Sequence, residues 1–418
     1  MLKVELKRIL KTRATWWLFI IAFALCLFFG FYAVRRNFYD ETRYDTATGE
    51  VLEGGRFIRG VEAYEINKEK YSLIEGEITP ELIAEAVRIY HELIYEYGDD
   101  YSIPQEISGK MLGPYSPVYT WIARSFTDEH GARYTASDIS PEQALNFYQE
   151  RLLTLERQLE KKYEKQPQVV DYAMSRADSG ENFNYSYGIG SIYTFDHLET
   201  CLFMVTLIGM TITAPIFSSD YASGADDILR CTRRGRRRLA LTKLGSAIIV
   251  SLGVFILCIG AFLTIVYLSL GFGDITSAEL LNIMFNPGSL TAMACMGIML
   301  LSGLLTLLAM SCFTLFLSAR LSSPLAVLAV STAVVIIPTV FALTGADGNA
   351  LNWIRFCLPS GGVLLSTSSM LQELGSLRFL WISGFITWSP YVMLVAAAAQ
   401  IPLWFGLAVR SYNKHEVA

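Results

Sequence analysis

A run of nineteen residues without a charge, WWLFIIAFALCLFFGFYAV from Trp16 to Val34, limits what this chain can fold into more than any other feature. At ~1.5 Å rise per residue it crosses a ~30 Å hydrocarbon core as one helix. Five further apolar runs follow, at about 198–217, 244–270, 290–317, 324–343 and 391–409. Only 17% of the 418 residues are charged, against about a quarter in a soluble domain. That deficit excludes an ordinary soluble globule. Most acidic residues fall between Asp40 and Asp196, so the net charge of −5 averages a polar block with a membrane block and identifies no partner. The fold class this predicts is an α-helical polytopic membrane protein with six transmembrane helices and a large extracytoplasmic domain between the first two.

The first thirteen residues, MLKVELKRILKTR, interleave Leu2, Val4, Leu6, Ile9 and Leu10 with Lys3, Lys7, Arg8, Lys11 and Arg13. A basic amphipathic helix of this kind lies in the headgroup layer of an anionic membrane face; the alternative is a plain basic flank that only sets topology. No small-residue cleavage site follows the first apolar run, so it reads as an anchor and not a signal peptide. Arg35 and Arg36 beyond it oppose the positive-inside trend, but five basic residues precede it and place the N-terminus in the cytoplasm.

The polar block carries two helix starts with a mechanism. Thr79-Pro80-Glu81 and Ser140-Pro141-Glu142 each supply an N-cap, a proline in the first turn and an early acid. The second is expected to open one long helix through Leu145, Leu152 and Leu159 toward Glu164. All seven cysteines (Cys26, Cys201, Cys231, Cys258, Cys295, Cys312, Cys357) lie outside this block. Its stability must therefore come from its own core and not from disulfides.

The breaks between runs alternate in charge. Arg230, Arg233, Arg234, Arg236, Arg237, Arg238 and Lys243 crowd the first break after the second run; Asp274 and Glu279 are the only charges of the next; Arg320 stands in the third; Arg410 and Lys414 follow the last run. Six spans with both termini cytoplasmic require this alternation. The opposite orientation would carry the arginine cluster across at roughly 2.5–3.5 kcal/mol per arginine at the bilayer centre. The fourth break, 345–389, is nearly neutral, and LNWIRFCLPSGGVLLSTSSML within it (351–371) is apolar enough to re-enter the membrane or to lie on it.

Catalytic signatures are missing. The chain has no GxxxxGK[ST], no HExxH, no GxSxG and no CxxC, and its histidines (His91, His130, His197, His415) are scattered. The arginine cluster abuts two spans and lacks interleaved aromatics, so it is not read as a nucleic-acid patch. Thr211, Thr213 and Thr339 could line a path through the spans, or simply bond their own helix backbone.

The segment FSSDYASGADDILRCTRRGRRRLALTK, 217–243, is the informative one. Acids at its start and cations at its end suit the macrodipole of a short helix over 222–231, with Ile228 and Leu229 as an apolar contact; a solvated basic loop is the alternative. Its Asp220, Gly224, Leu229, Thr232, Arg236 and Lys243 resemble, in order and spacing, the coupling-helix region of type-2 ATP-binding-cassette (ABC) permeases. Asp220 stands where that family usually has Glu, and Arg233 where a proline often follows the threonine.

What the resemblance implies is an export permease with no catalysis of its own. Residues 1–15 would be an amphipathic elbow helix, 16–34 the first span, 35–196 the extracytoplasmic domain and 197–409 the other spans. Within these, 218–243 would be a coupling segment and 345–389 an extracytoplasmic hairpin, with 410–418 a cytoplasmic tail. Asp220, Gly224, Asp227, Leu229, Thr232 and Arg236 would engage separate ATPase subunits. ATP and magnesium would sit in those subunits, and this chain would hold no cofactor or metal. A second permease subunit, identical or not, and the lipid bilayer complete the expected partners; nucleic acid is not among them. The expected location is a bacterial plasma membrane. The rival reading is a membrane-anchored receptor whose outer domain binds a ligand.

Overall fold

The computed structural model of the chain describes residues 1–40, 43–44, 51–52, 56–128, 130–177, 183–188, 192–225, 228, 236–271, 290–343, 348–361 and 370–414. Among them six helices are long and apolar enough to cross a membrane: Arg13–Arg35, Thr194–Ala222, Arg237–Leu270, Ala292–Ser318, Pro324–Phe341 and Ser389–Lys414. The molecule is a helical, membrane-embedded protein.

The second and fourth spans are 61% buried over their most apolar stretch, against 22–33% for the other four. These two therefore form the centre of the bundle. Their contact depends on small residues: a Cβ on Gly303 would lie 2.5 Å from Leu202 Cδ2, and one on Gly209 would lie 2.5 Å from Leu307 Cδ1. In lipid, where apolar burial drives little association, such close approach supplies the packing. Three threonine hydroxyls of the second span bond its own backbone. Thr206 donates to Leu202 O at 2.9 Å, and Thr211 and Thr213 donate to Leu207 O and Met210 O. The latter two thus take the backbone-bonding alternative raised by the sequence.

The second span is interrupted at Pro215, which has no N–H to donate, so that one helix ends at Thr213 and Pro215–Ala222 continues it. Ser318, at the end of the fourth span, repairs the break. Its Oγ donates to Ala214 O at 2.6 Å and accepts from the amides of Phe217 and Ser218 at 3.0 and 3.1 Å.

The N-terminal helix Leu2–Lys11 lies against the start of the third span. Tyr412, near the C-terminus, is buried against Phe217 (ring centroids 4.9 Å apart), and Tyr221 Oη donates to Ala319 O at 3.3 Å. Both termini and the ends of spans two and four therefore share one end of the bundle, the basic one. The polar domain occupies the other.

That domain is mostly helical and has its own core, including Ile74, Ile78, Ile83, Val87, Trp121, Phe147, Tyr148 and Phe183. Thr79 caps Pro80–Tyr97 by accepting from the Leu82 amide at 3.3 Å, and Ser140 forms a reciprocal capping box with Gln143. The long helix expected from Pro141 is instead two, Pro141–Ala144 and Phe147–Lys162, with the chain turning at Leu145 and Asn146. The turn lets Phe147 and Tyr148 enter the core while Leu145 stays exposed. From the aromatic stretch that precedes the second span, Asn184–Tyr185 pairs antiparallel with Gly76–Glu77, and Phe183 N donates to Tyr148 Oη at 3.1 Å.

The segment before the sixth span holds a short helix Asn349–Phe356, a second one Met370–Leu374, and a β-hairpin, Phe379–Ile382 with Phe385–Trp388, that the sequence reading did not anticipate. Ser360 Oγ donates to Val334 O of the fifth span at 2.8 Å, and Gln400 Nε2 of the sixth donates to Cys357 O at 3.0 Å. Counting along those helices at ~1.5 Å per residue, the 357–361 turn lies about 13–16 Å below their domain-side ends. This part of the segment thus dips into the bundle, and Gln400 supplies a donor to backbone that lipid could not satisfy.

The hairpin also ties the domain to the spans. Tyr163 Oη donates to Leu377 O at 2.9 Å and accepts from Phe379 N at 2.8 Å. Tyr163→Phe should leave two backbone groups unpaired, at a cost of about 1–3 kcal/mol, read as faster hydrogen exchange at residues 377–388 with the capped helix Pro80–Tyr97 unchanged. Gly303→Val should destabilise the bundle by about 1–3 kcal/mol. Gly260→Val, whose added Cβ meets nothing within 4 Å, should leave the thermal midpoint in detergent close to wild type.

Candidate functional site

The expected coupling residues divide three ways. Asp220 is buried in an ionic cluster, described next. Gly224 sits just past the helix Pro215–Ala222 at φ +66°, a left-handed conformation suited to glycine, with its amide donating to Tyr221 O at 3.2 Å. Arg236 precedes the helix Arg237–Leu270 as its N-cap residue and forms no ion pair among the described residues. Asp227, Leu229 and Thr232 lie outside the described residues, as does half of the helix expected over 222–231; in its described half Ala222 ends the preceding helix and Gly224 is left-handed, so no single helix starts at 222. Ile228 is described and is 75% exposed.

Asp220 is the meeting point of three chain segments. One carboxylate oxygen takes Arg8 Nη1 of the N-terminal helix at 3.0 Å, and the other takes Lys243 Nζ from the second turn of the third span. Arg8 Nε lies 3.0 Å from Glu5 Oε2 on its own helix, and Arg8 Nη2 donates to Ile216 O at 3.4 Å. Lys243 is fully buried and its ammonium stands 5.4 Å from the centre of the Phe217 ring. The charges alternate, Glu5, Arg8, Asp220, Lys243, so each buried ion has an opposite neighbour. A charge removed from water is tolerable only in such company.

The local fold explains how they meet. The second span resumes as helix at Pro215, which places Asp220 in the last turn of Pro215–Ala222. The third span begins as helix at Arg237, before its apolar run, and so carries Lys243 inward beside Asp220. The amphipathic helix presents Arg8 from the side. The arrangement has no nucleophile paired with a base, and no group of three or more His, Cys, Asp or Glu suited to a metal is present among the described residues. Its chemistry is mechanical: displacing any one of the three segments separates charges.

Glu5 and Arg8 were not among the site residues expected from sequence, and Lys243 was noted only as part of a pattern. The available signals were an acid inside an otherwise basic helix and a lysine beside an apolar run.

A second buried cluster occupies the opposite end. Glu373, fully buried, pairs with Arg355 Nη2 at 3.2 Å and with Arg378 Nη1, and its other oxygen accepts from Ser389 Oγ at 2.6 Å and Ser376 Oγ at 3.0 Å. It binds the dipping helix, the hairpin and the first residue of the sixth span together. His91 Nε2 contacts Ala136 O at 2.9 Å inside the polar domain, an ordinary packing role.

Comparison of the chain with family models, with curated proteins and with solved structures finds no match.

Removing one partner of a buried pair strands the other. Asp220→Asn should therefore destabilise the protein by about 3–5 kcal/mol, more than Lys243→Met does. The double variant should recover part of the loss, since no unpaired cation remains; equilibrium unfolding of all three in detergent gives the coupling.

Proposed function

We propose that this chain is the transmembrane permease subunit of an ABC exporter, coupling ATP hydrolysis in a separate ATPase subunit to movement of substrate across a bacterial plasma membrane. The observation that carries the reading is the Arg8–Asp220–Lys243 linkage. It joins a surface helix to both flanks of the 218–243 segment, whose residues resemble the coupling region of such permeases. In this reading the basic end faces the cytoplasm, in keeping with the positive-inside rule.

The 218–243 segment is then the contact with the motor. Gly224 gives it a tight exit from the second span, and exposed Ile228 with Leu229 forms the apolar contact. A push on this segment acts on Asp220, and through it on the elbow helix and the third span together. Binding energy in the ATPase thus biases two arrangements of the spans. The two-copy assembly that such ATPases require is formed with a second permease subunit.

The test is reconstitution with the separate ATPase. Wild-type protein should retain the ATPase through purification and show nucleotide-dependent transport. Leu229→Asp should lose association by an order of magnitude or more at an unchanged thermal midpoint, and Gly224→Asp should lose it with a lowered midpoint, because φ +66° strains any side chain there. Unchanged association and transport in both variants, or a wild-type protein that never recruits a nucleotide hydrolase, contradicts the proposal and favours a receptor.

A further inference from the structure

At the basic end the fourth and sixth spans leave a cavity of about 460 Å³ lined by Ala319, Arg320, Leu407, Arg410, Ser411 and Lys414, none of which belongs to the ionic cluster. Three of the six lining residues are cationic and none is acidic. Arg410 and Lys414 make no hydrogen bond or ion pair among the described residues, although they stand one turn apart on the same helix. Like charges so placed repel by a few tenths of a kcal/mol, a cost that an anion between them would reverse.

Arg320 is held ready from the other side. Its guanidinium lies 5.1 Å from the centre of the Phe316 ring, and Phe316 in turn packs on Trp404 with ring centroids 5.2 Å apart. Its Nε donates to Ser411 Oγ at 3.4 Å, which leaves both terminal nitrogens without a protein partner among the described residues. A guanidinium fixed by stacking presents a fork that matches two oxygens of a phosphate.

The depth selects the ligand further. Ala319 caps the end of the fourth span and Leu407 lies two turns before the end of the sixth, so the three cations share the cavity with two apolar side chains. That is the level at which acyl chains give way to headgroups, where basic pockets between spans take anionic lipids. A topological role alone asks only that cations lie on one side, in any arrangement. It does not require Arg320 to converge with two residues some ninety positions later on one cavity.

We propose that this cavity binds a phosphate group, carried by a lipid headgroup or free in solution. Because it is built from different residues, the proposal stands or falls separately from the export reading.

The experiment uses the purified full chain in nanodiscs of phosphatidylcholine, of an equal mixture with phosphatidylglycerol, and of phosphatidylcholine with inorganic phosphate added. Phosphatidylglycerol should raise the thermal midpoint and be retained preferentially in native mass spectrometry. R410Q/K414Q, which removes no hydrogen bond or ion pair among the described residues, should weaken that retention about fivefold per charge, and adding R320Q should abolish it. K3Q/K11Q/R13Q, equally basic in origin but outside the cavity, should keep it. Stabilisation by inorganic phosphate that needs the same three residues assigns the anion to solution; stabilisation by phosphatidylglycerol alone assigns it to lipid. Equal effects of the cavity and control variants, or no stabilisation by either anion, overturn the proposal.

Discussion

A carboxylate and an ammonium buried beside each other, Asp220 and Lys243, fix the geometry of the basic end. Neither ion can leave its partner without being stranded in a low-dielectric surrounding, where the penalty is several kcal/mol. Arg8 completes the pair from a helix that does not cross the membrane. A ten-residue helix held by its apolar face alone would be free to slide, since amphipathicity sets which side is buried but not its position. The ion pair supplies the position.

The same solution appears at the far end. Glu373 gathers Arg355, Arg378 and Ser389, and so fastens the dipping segment and hairpin to the start of the sixth span. Tyr163 then joins the polar domain to the hairpin through two hydrogen bonds. Each non-spanning element is thus attached to the bundle by a directional polar contact, while the spans pack on one another through small residues and backbone-bonding hydroxyls. Ser318 shows how closely these are matched: one hydroxyl serves the carbonyl and two amides next to Pro215, at the start of the short helix that carries Asp220.

The spans were legible because lipid imposes a length and forbids charge; the helix that carries the fifth, Pro324–Leu343, has the expected bounds. The helix starts at Pro80 and Pro141 were legible because capping is local. What lay hidden was long-range or self-cancelling. Arg8 and Asp220 are 212 positions apart, and nothing local announces their pairing. Arg355, Glu373 and Arg378 sit in a stretch whose net charge is close to nil, which conceals a buried network behind apparent neutrality. The four-residue strands of the hairpin are too short for alternation to stand out from the apolar background. The dipping turn was half legible: the apolar stretch 351–371 allowed re-entry, and Gln400, a lone amide in an apolar run, was the further clue that went unread.

The claim on which the functional account rests is that the arginine-rich break after the second span faces the cytosol. Cys231 lies in that break, and Tyr95, 94% exposed, lies on the polar domain. A membrane-impermeant maleimide added to intact cells should label a Tyr95→Cys variant and spare Cys231, and inverted vesicles should show the reverse. Labelling of Cys231 from outside intact cells would contradict the orientation and the coupling role with it.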